Sequence, residues 1–373
     1  MSLQSPSPYN SEPLARKLRQ RNTVPSRQPL AEGVRNRVAF VATWPAGQPS
    51  VRSSLVASPI AVSVVMVDVL EKVRRYAESN TPVVLVGETG TGKSYLARLL
   101  HELSGRSGAF AEITAGELDP ELAPSQLFGH VRGAFTGAVS QRVGLFGEAA
   151  SGTLLFDDFH LLSSSLQYLL LAAFDLHAYR PVGTDRRLPV TCRLVVGLGK
   201  DPDALVESGD LLKDLRFRLG HCIVRLLPLA ERREEIPSYA RLFLAQCPAQ
   251  TGLTDGPATF TSEALTVLEA GSYPGNLRDL REVIVEAFLH GRADVAEAIR
   301  VEHVAEHARV ALTYEPRASR ARQRASVQWA LWKTAGNVTE AARLIGASRG
   351  TVAAVKGEIK ARRGGGLERR LGH

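Results

Sequence analysis

Cysteine is scarce and scattered in this chain. Cys192, Cys222 and Cys247 are the three in 373 residues, and their spacing matches neither a metal knuckle nor a disulfide framework. That usage argues against a disulfide-stapled module and for a reducing interior. No apolar run approaches the roughly 18 residues that a membrane-crossing helix needs. The opening stretch, Met1 to Leu30, is polar, Pro/Ser-rich and dotted with arginine. It lacks the apolar core of a secretion signal, so a cytoplasmic protein is expected. No solenoid-period repeat is visible. Residues 1–57 show no sustained periodicity; they read as a basic, mostly disordered segment, shorter than a sensory domain of about 100 residues. Control is therefore expected from a partner, from expression level or from that segment.

What charge there is lies at the ends. The chain carries +8 overall, but residues 1–58 account for +6 and residues 315–373 for +9, which leaves −7 for the body between them. An acidic body with basic ends fits a protein whose tail meets nucleic acid.

The pattern changes at Ser58. Val64 to Ala77 has helical spacing, Val83-Val-Leu-Val86 reads as a buried strand, and Ser94 to Leu103 as the next helix. Thr153–Phe156 and Arg193–Val196 are further buried-type strands. Strands alternating with helices predict an α/β fold with a parallel sheet covered on both faces. Beyond Pro228 the strand signals stop. Glu234 to Val310 reads as helical, with breaks at Thr251–Pro257 and Tyr273–Asn276. A basic linker follows, then three short helices, with order ending at Gly364-Gly-Gly366.

Between the first strand and its helix stands Gly87-Glu88-Thr89-Gly90-Thr91-Gly92-Lys93-Ser94. A loop of that spelling wraps phosphates with backbone N–H groups at a helix N-terminus. Lys93 is placed to reach terminal phosphates, and the Ser94 hydroxyl to help hold Mg²⁺. Downstream, Asp157 and Asp158 end a hydrophobic strand; Asp157 suits the Mg²⁺ and Asp158 the attacking water. About forty residues past the phosphate loop comes Gly133-Ala134-Phe135-Thr136-Gly137-Ala138, a tight, apolar-tipped turn framed by glycines.

These strings together resemble the bacterial enhancer-binding proteins, the AAA+ activators of sigma-54 RNA polymerase, over roughly residues 58–312, with a Fis-type DNA-binding domain after them. Leu127-Phe-Gly-His130, Gly152–Asp158, Leu215–Leu219, Leu227-Pro-Leu229 and Tyr273-Pro-Gly-Asn-Leu-Arg278 carry the resemblance beside the phosphate loop and the GAFTGA string. The resemblance implies an ATPase working as a ring, usually a hexamer, whose GAFTGA loop touches sigma-54 with Phe135 and Thr136 when ATP is bound. It also implies that Arg218 acts on the neighbouring subunit's nucleotide and that Arg278 senses nucleotide from the lid. The division it suggests is 1–57 N-terminal segment, 58–228 ATPase domain, 229–312 helical lid, 313–325 basic linker, 326–363 helix-turn-helix and 364–373 flexible tail.

The chain departs from that family around hydrolysis. Asp158 stands where Glu is usual, and Thr114 where an asparagine restrains the acid. Leu212 replaces the first trans arginine, with Lys213 or Arg216 as partial substitutes, and Leu198 and Gly199 occupy the polar sensor positions. Ser94, by contrast, is the general phosphate-loop choice. A slow ATPase is expected. The alternative is a DNA-binding regulator in which ATP is structural; the GAFTGA string weighs against a third reading, an AAA+ machine with another client.

At the C-terminal end, Gly336–Gly346 reads as a helix and glycine turn, and Ser348 as the cap of a second helix running from Arg349. That helix is the one expected in the major groove of double-stranded DNA. Ser348, Arg349 and Thr351 sit near its start; Lys356, Lys360, Arg362 and Arg363 are placed for phosphates. Ala353, Ala354 and Val355 leave it few polar groups for base readout. His303-Val-Ala-Glu-His307 spells a zinc-protease motif but has no third ligand and reads as surface histidines.

Overall fold

The structure is a computed structural model and describes residues 63–368, apart from 306, 307, 309–311, 314 and 317. The expectation for residues 1–57 lies outside these. Five parallel strands form the central sheet, in spatial order Phe110–Thr114, Thr153–Asp157, Arg193–Leu198, Val83–Val86 and Ile223–Arg225. Val83–Val86 and Arg193–Leu198 are buried at every position, as strands covered on both faces must be. Because all five run the same way, their carboxyl ends share one edge, and ligand sites of such sheets form there. The phosphate loop, Thr114 and the two acids all leave the sheet at that edge.

Helix Val64–Ala77 starts at Ser63, whose hydroxyl accepts the Met66 N–H. Its other end is closed by Arg193, which is 1% exposed and donates to the carbonyls of Tyr76, Ala77 and Thr81. Burial pushes that guanidinium down to about 10.

The second layer is helical: Ile236–Thr251, Ser262–Ala270 and Leu277–Ala293. Strand structure does not stop at Pro228, however. Thr259–Phe260 pairs in parallel with Ala298–Ile299, a ladder too short to leave an alternating pattern.

The stretch read as a basic linker is partly helix: Arg320–Lys333 is continuous, and Ala325 within it is fully buried. Helices Val338–Ile345 and Arg349–Glu368 follow. The last helix continues through Gly364-Gly365-Gly366, where the sequence suggested an end; each glycine costs a helix only about 1 kcal/mol. The C-terminal helices share one apolar core with the lid, from Leu229 through Phe288 to Ile345 and Val352. Arg324 Nε lies 2.6 Å from Glu263 Oε1 across the junction, both side chains largely buried. Burial alone would raise the Glu263 carboxyl, but hydrogen bonds from its own backbone, Arg324 and Ser262 outweigh it and hold the group below the ordinary glutamate range. A carboxyl so depressed adds stability that is full above the unfolded-state value and lost as pH falls through the folded one. Acidification below roughly pH 4.5 is therefore expected to loosen this junction. Thermal melts across that range check it: Glu263→Gln should flatten the slope.

Candidate functional site

A cavity of about 570 Å³ opens at the carboxyl edge of the sheet, between the phosphate loop and the lid. Thr89 to Ser94, Thr114, Asp157, Asp158 and Arg278 all line it, so residues far apart in sequence meet in one place. The lid side adds Tyr239, Leu242 and Phe243, an apolar wall. Gly87 is buried behind the loop. The Glu88 carboxylate turns to the lid, where Asn276 Nδ2 donates to Oε2 at 3.1 Å, so its side chain is a lid contact rather than a phosphate group. Lys93 is 5% exposed; its Nζ donates to Gly87 O at 3.0 Å and lies 3.8 Å from Asp157 Oδ1. Gly90 is required by close approach, since a Cβ there would stand 2.1 Å from the Gly275 carbonyl oxygen of the lid.

Asp157 closes its strand opposite Thr114, and its Oδ1 accepts the Asp158 N–H at 3.0 Å. The carboxylate fits because residue 197 is glycine; a Cβ there would be 2.0 Å from Asp157 Oδ1. Asp158 takes the left-handed conformation, φ 50°, which Asp tolerates better than most residues. Ser94 and Asp157 offer hard oxygen donors on one wall, and among the described residues no cluster of three His, Cys, Asp or Glu makes a protein cage for a metal. That donor set suits Mg²⁺, which commonly takes one or two protein oxygens together with phosphates and water.

The arginines sort differently from the sequence reading. Arg216 is no substitute finger: it is 8% exposed, with Nε on Asp203 at 2.9 Å and Nη1 on Gly220 O at 3.1 Å. Lys213 is exposed at the start of the same helix, Lys213–Leu219. Arg218 lies outside its own chain's cavity; it donates to Phe174 O and stands 3.3 Å from Asp175, at the C-terminal end of helix Ser164–Asp175. Leu198 is fully buried and Gly199 sits by the His160 ring, so neither offers a polar side chain to the cavity.

The loop from Gly133 to Ala138 is a separate projection. Gly133 and Gly137 have φ 79° and 99°, conformations that favour glycine, and Gly133 N donates to Ala138 O at 2.9 Å, closing the loop's neck. Ala134 is half-buried and Ala138 buried, whereas Thr136 is exposed. Phe135 is 39% exposed, its ring edge-on to His130 at 5.0 Å. His130 is itself pinned, Nδ1 to the Ser125 hydroxyl at 2.7 Å and Nε2 to Ser140 O at 3.0 Å.

At the C-terminal end, Gly346 closes helix Val338–Ile345 with φ 70°, and the Ser348 hydroxyl accepts the Thr351 N–H at 3.0 Å. Ser348 and Thr351 hydroxyls also bond each other at 2.8 Å. Arg349 and Lys356 are both exposed, and Lys356 Nζ donates one bond to Gly336 O at 2.8 Å, buttressing the turn. Lys360 continues the helix backbone. His303 is no surface group: it is 2% exposed, caps its turn by accepting the Arg300 N–H and meets Asp294 at 3.1 Å. Glu306 and His307 lie outside the described residues.

Sequence reasoning missed Arg232 and Glu235, a pair 2% and 0% exposed beside the phosphate loop, because an Arg-Arg-Glu-Glu run looks like a solvated turn. It also missed Gly197, which carries no local signal.

Residues 60–225 match the family model described as the Sigma-54 interaction domain, and residues 230–320 the AAA+ ATPase lid domain. The chain is 35% identical to the transcriptional regulatory protein GlrR of Escherichia coli over 288 residues, covering 77% of this chain and 64% of GlrR. It is 36% identical to the Nif-specific regulatory protein of Rhizobium leguminosarum bv. trifolii over 239 residues, covering 63% of this chain and 66% of that one. It therefore spans somewhat less than two thirds of these relatives' lengths. Among solved structures, NtrX from Brucella abortus in complex with ADP superposes with a TM-score of 0.61 at 26% identity, covering 81% of this chain and 69% of NtrX. Its complex with ATP gives a TM-score of 0.56 at 26% identity, covering 82% and 68%. With a parallel-sheet nucleotide-binding domain, a helical lid and these matches, the chain belongs to the AAA+ family of sigma-54-dependent transcriptional activators.

Proposed function

We propose that this chain binds ATP with Mg²⁺, hydrolyses it slowly in a ring assembly, usually a hexamer in this family, and remodels sigma-54 RNA polymerase while bound to upstream double-stranded DNA. The observation that carries the reading is the single cavity joining the phosphate loop, both acids and lid Arg278, next to a separate loop that leaves Phe135 exposed. In this reading the N–H groups of the loop and Lys93 bind the phosphates, and Ser94 and Asp157 hold Mg²⁺, which neutralises charge on the β- and γ-phosphates. Asp158 orients the attacking water from its strand end. Arg218, outside the lining of its own cavity, serves a neighbour's nucleotide. Phe135 and Thr136, in the glycine-framed loop Gly133–Ala138, meet sigma-54. Ser348, Arg349 and Thr351 approach DNA, with Lys356 and Lys360 on phosphate; the Lys356 ammonium keeps two N–H donors beyond the one on Gly336 O.

ATP turnover at ring-forming concentration, with Lys93→Ala as background, tests this. Turnover above that background supports the reading; none would favour a DNA-binding regulator with structural ATP, which the buried Arg216 and apolar Leu212 already lean towards. Asp158→Glu extends the carboxylate by one methylene and is expected to raise phosphate release by about tenfold, since ångström-scale misplacement of a catalytic group costs up to about a hundredfold.

A further inference from the structure

Every carbonyl from Gly87 to Gly92 has an identifiable donor behind it. Gly87 O takes Lys93 Nζ at 3.0 Å, Glu88 O the Thr91 hydroxyl at 2.7 Å, and Gly92 O the Leu96 N–H at 3.0 Å. The three in between are held from the lid side. Thr89 O takes Asn276 Nδ2 at 3.0 Å, Gly90 O takes the Leu277 N–H at 3.0 Å, and Thr91 O takes Arg232 Nη2 at 2.8 Å. In a trans peptide the C=O and the following N–H point in opposite directions. Fastening Thr89 O and Thr91 O to the lid therefore turns the N–H groups of Gly90 and Gly92 away from it. Thr91 N–H goes to Glu88 O at 3.3 Å instead.

Both side chains are specialised for this. Asn276 is 1% exposed at φ 57°, ψ −129°, a backbone state that strains a non-glycine residue. Its amide is fully used: Oδ1 accepts the Leu229 N–H at 2.7 Å, and Nδ2 reaches Glu88 Oε2 as well as Thr89 O. Arg232 is held in turn by Glu235 Oε2 at 3.1 Å, and Glu235 Oε1 by the Ser63 hydroxyl at 2.6 Å. A buried ion pair adds little stability over an apolar pair of the same size, so geometry is the better account of it.

We propose that Arg232 and Asn276 are positioning residues for the polyphosphate of a nucleoside di- or triphosphate, so that the cradle exists only while the lid is seated. The inference rests on the nucleotide site proposed above. Movement of the lid then releases three consecutive carbonyls together and loosens the grip on phosphate.

The test uses the full chain. Asn276→Gly keeps the unusual backbone and deletes the amide. Arg232→Met with Glu235→Leu removes the ion pair without leaving a buried charge. Calorimetric affinities for ATP, ADP and adenosine are compared with ligand-free melting temperatures. ATP and ADP are expected to weaken about tenfold or more in each variant and adenosine by less than about twofold, the loss belonging to charge-assisted bonds alone. Equal weakening of all three, unchanged ATP affinity, or failure of both variants to fold would overturn the proposal. A wild-type chain that binds adenosine and ATP equally poorly would instead sink the nucleotide-site reading, and this inference with it.

Discussion

In the function proposed above, Phe135→Ala is expected to leave ATP turnover at the wild-type rate while sigma-54-dependent promoter opening falls by about a hundredfold or more, the loss expected of a central aromatic contact. The ring is 39% exposed and stands edge-on to His130, outside the three buried hydrophobic clusters, so truncation leaves those cores intact. The loop's neck is closed by main-chain bonds, Gly133 N to Ala138 O and Ala138 N to Phe135 O, which survive the substitution. None of the loop's six residues lines the nucleotide cavity. Phosphate release and open-complex formation measured on the same preparation decide the matter. If both fall together, Phe135 supports the ATPase fold; if neither falls, the loop is not the contact.

Arg193→Ala is expected to cost about 3–5 kcal/mol of folding stability. The side chain is 1% exposed and serves three carbonyls at once, Tyr76, Ala77 and Thr81, where the first helix ends and the chain turns into strand Val83–Val86. Removing it takes the guanidinium donor from the buried Ala77 carbonyl and opens a void beside the strand that feeds the phosphate loop. Arg193→Lys recovers only part of this, because a point charge with one nitrogen cannot span three acceptors. Chemical denaturation gives the measurement. A midpoint unchanged in Arg193→Ala would mean that water satisfies those carbonyls equally well.

What was legible beforehand was local. Strand Val83–Val86 and helix Val64–Ala77 have the bounds their periodicity suggests, because apolar spacing is written in adjacent residues. The phosphate loop, the paired acids and the lid motif around Arg278 were each readable from short strings, and the cavity gathers all three. What escaped was the set of contacts between strings. Nothing in Arg-Arg-Glu-Glu tells which arginine is buried, and the sheet register alone makes residue 197 share space with Asp157. Arg216 misled for the same reason: its neighbour in sequence is exposed, but the helix turns Arg216 inward onto Asp203. The Thr259–Phe260 ladder was invisible because two residues carry no period.

The continuous core between lid and C-terminal helices, pinned at Glu263–Arg324, has a geometric consequence. In the DNA-bound assembly proposed above, a reading head on a supple tether would find operator copies at many separations, whereas one fixed to the lid makes the subunit repeat a ruler. Phasing on the double helix then matters: moving two operator copies apart by half a helical repeat carries one to the far side of the duplex, and a welded head has no swivel with which to follow.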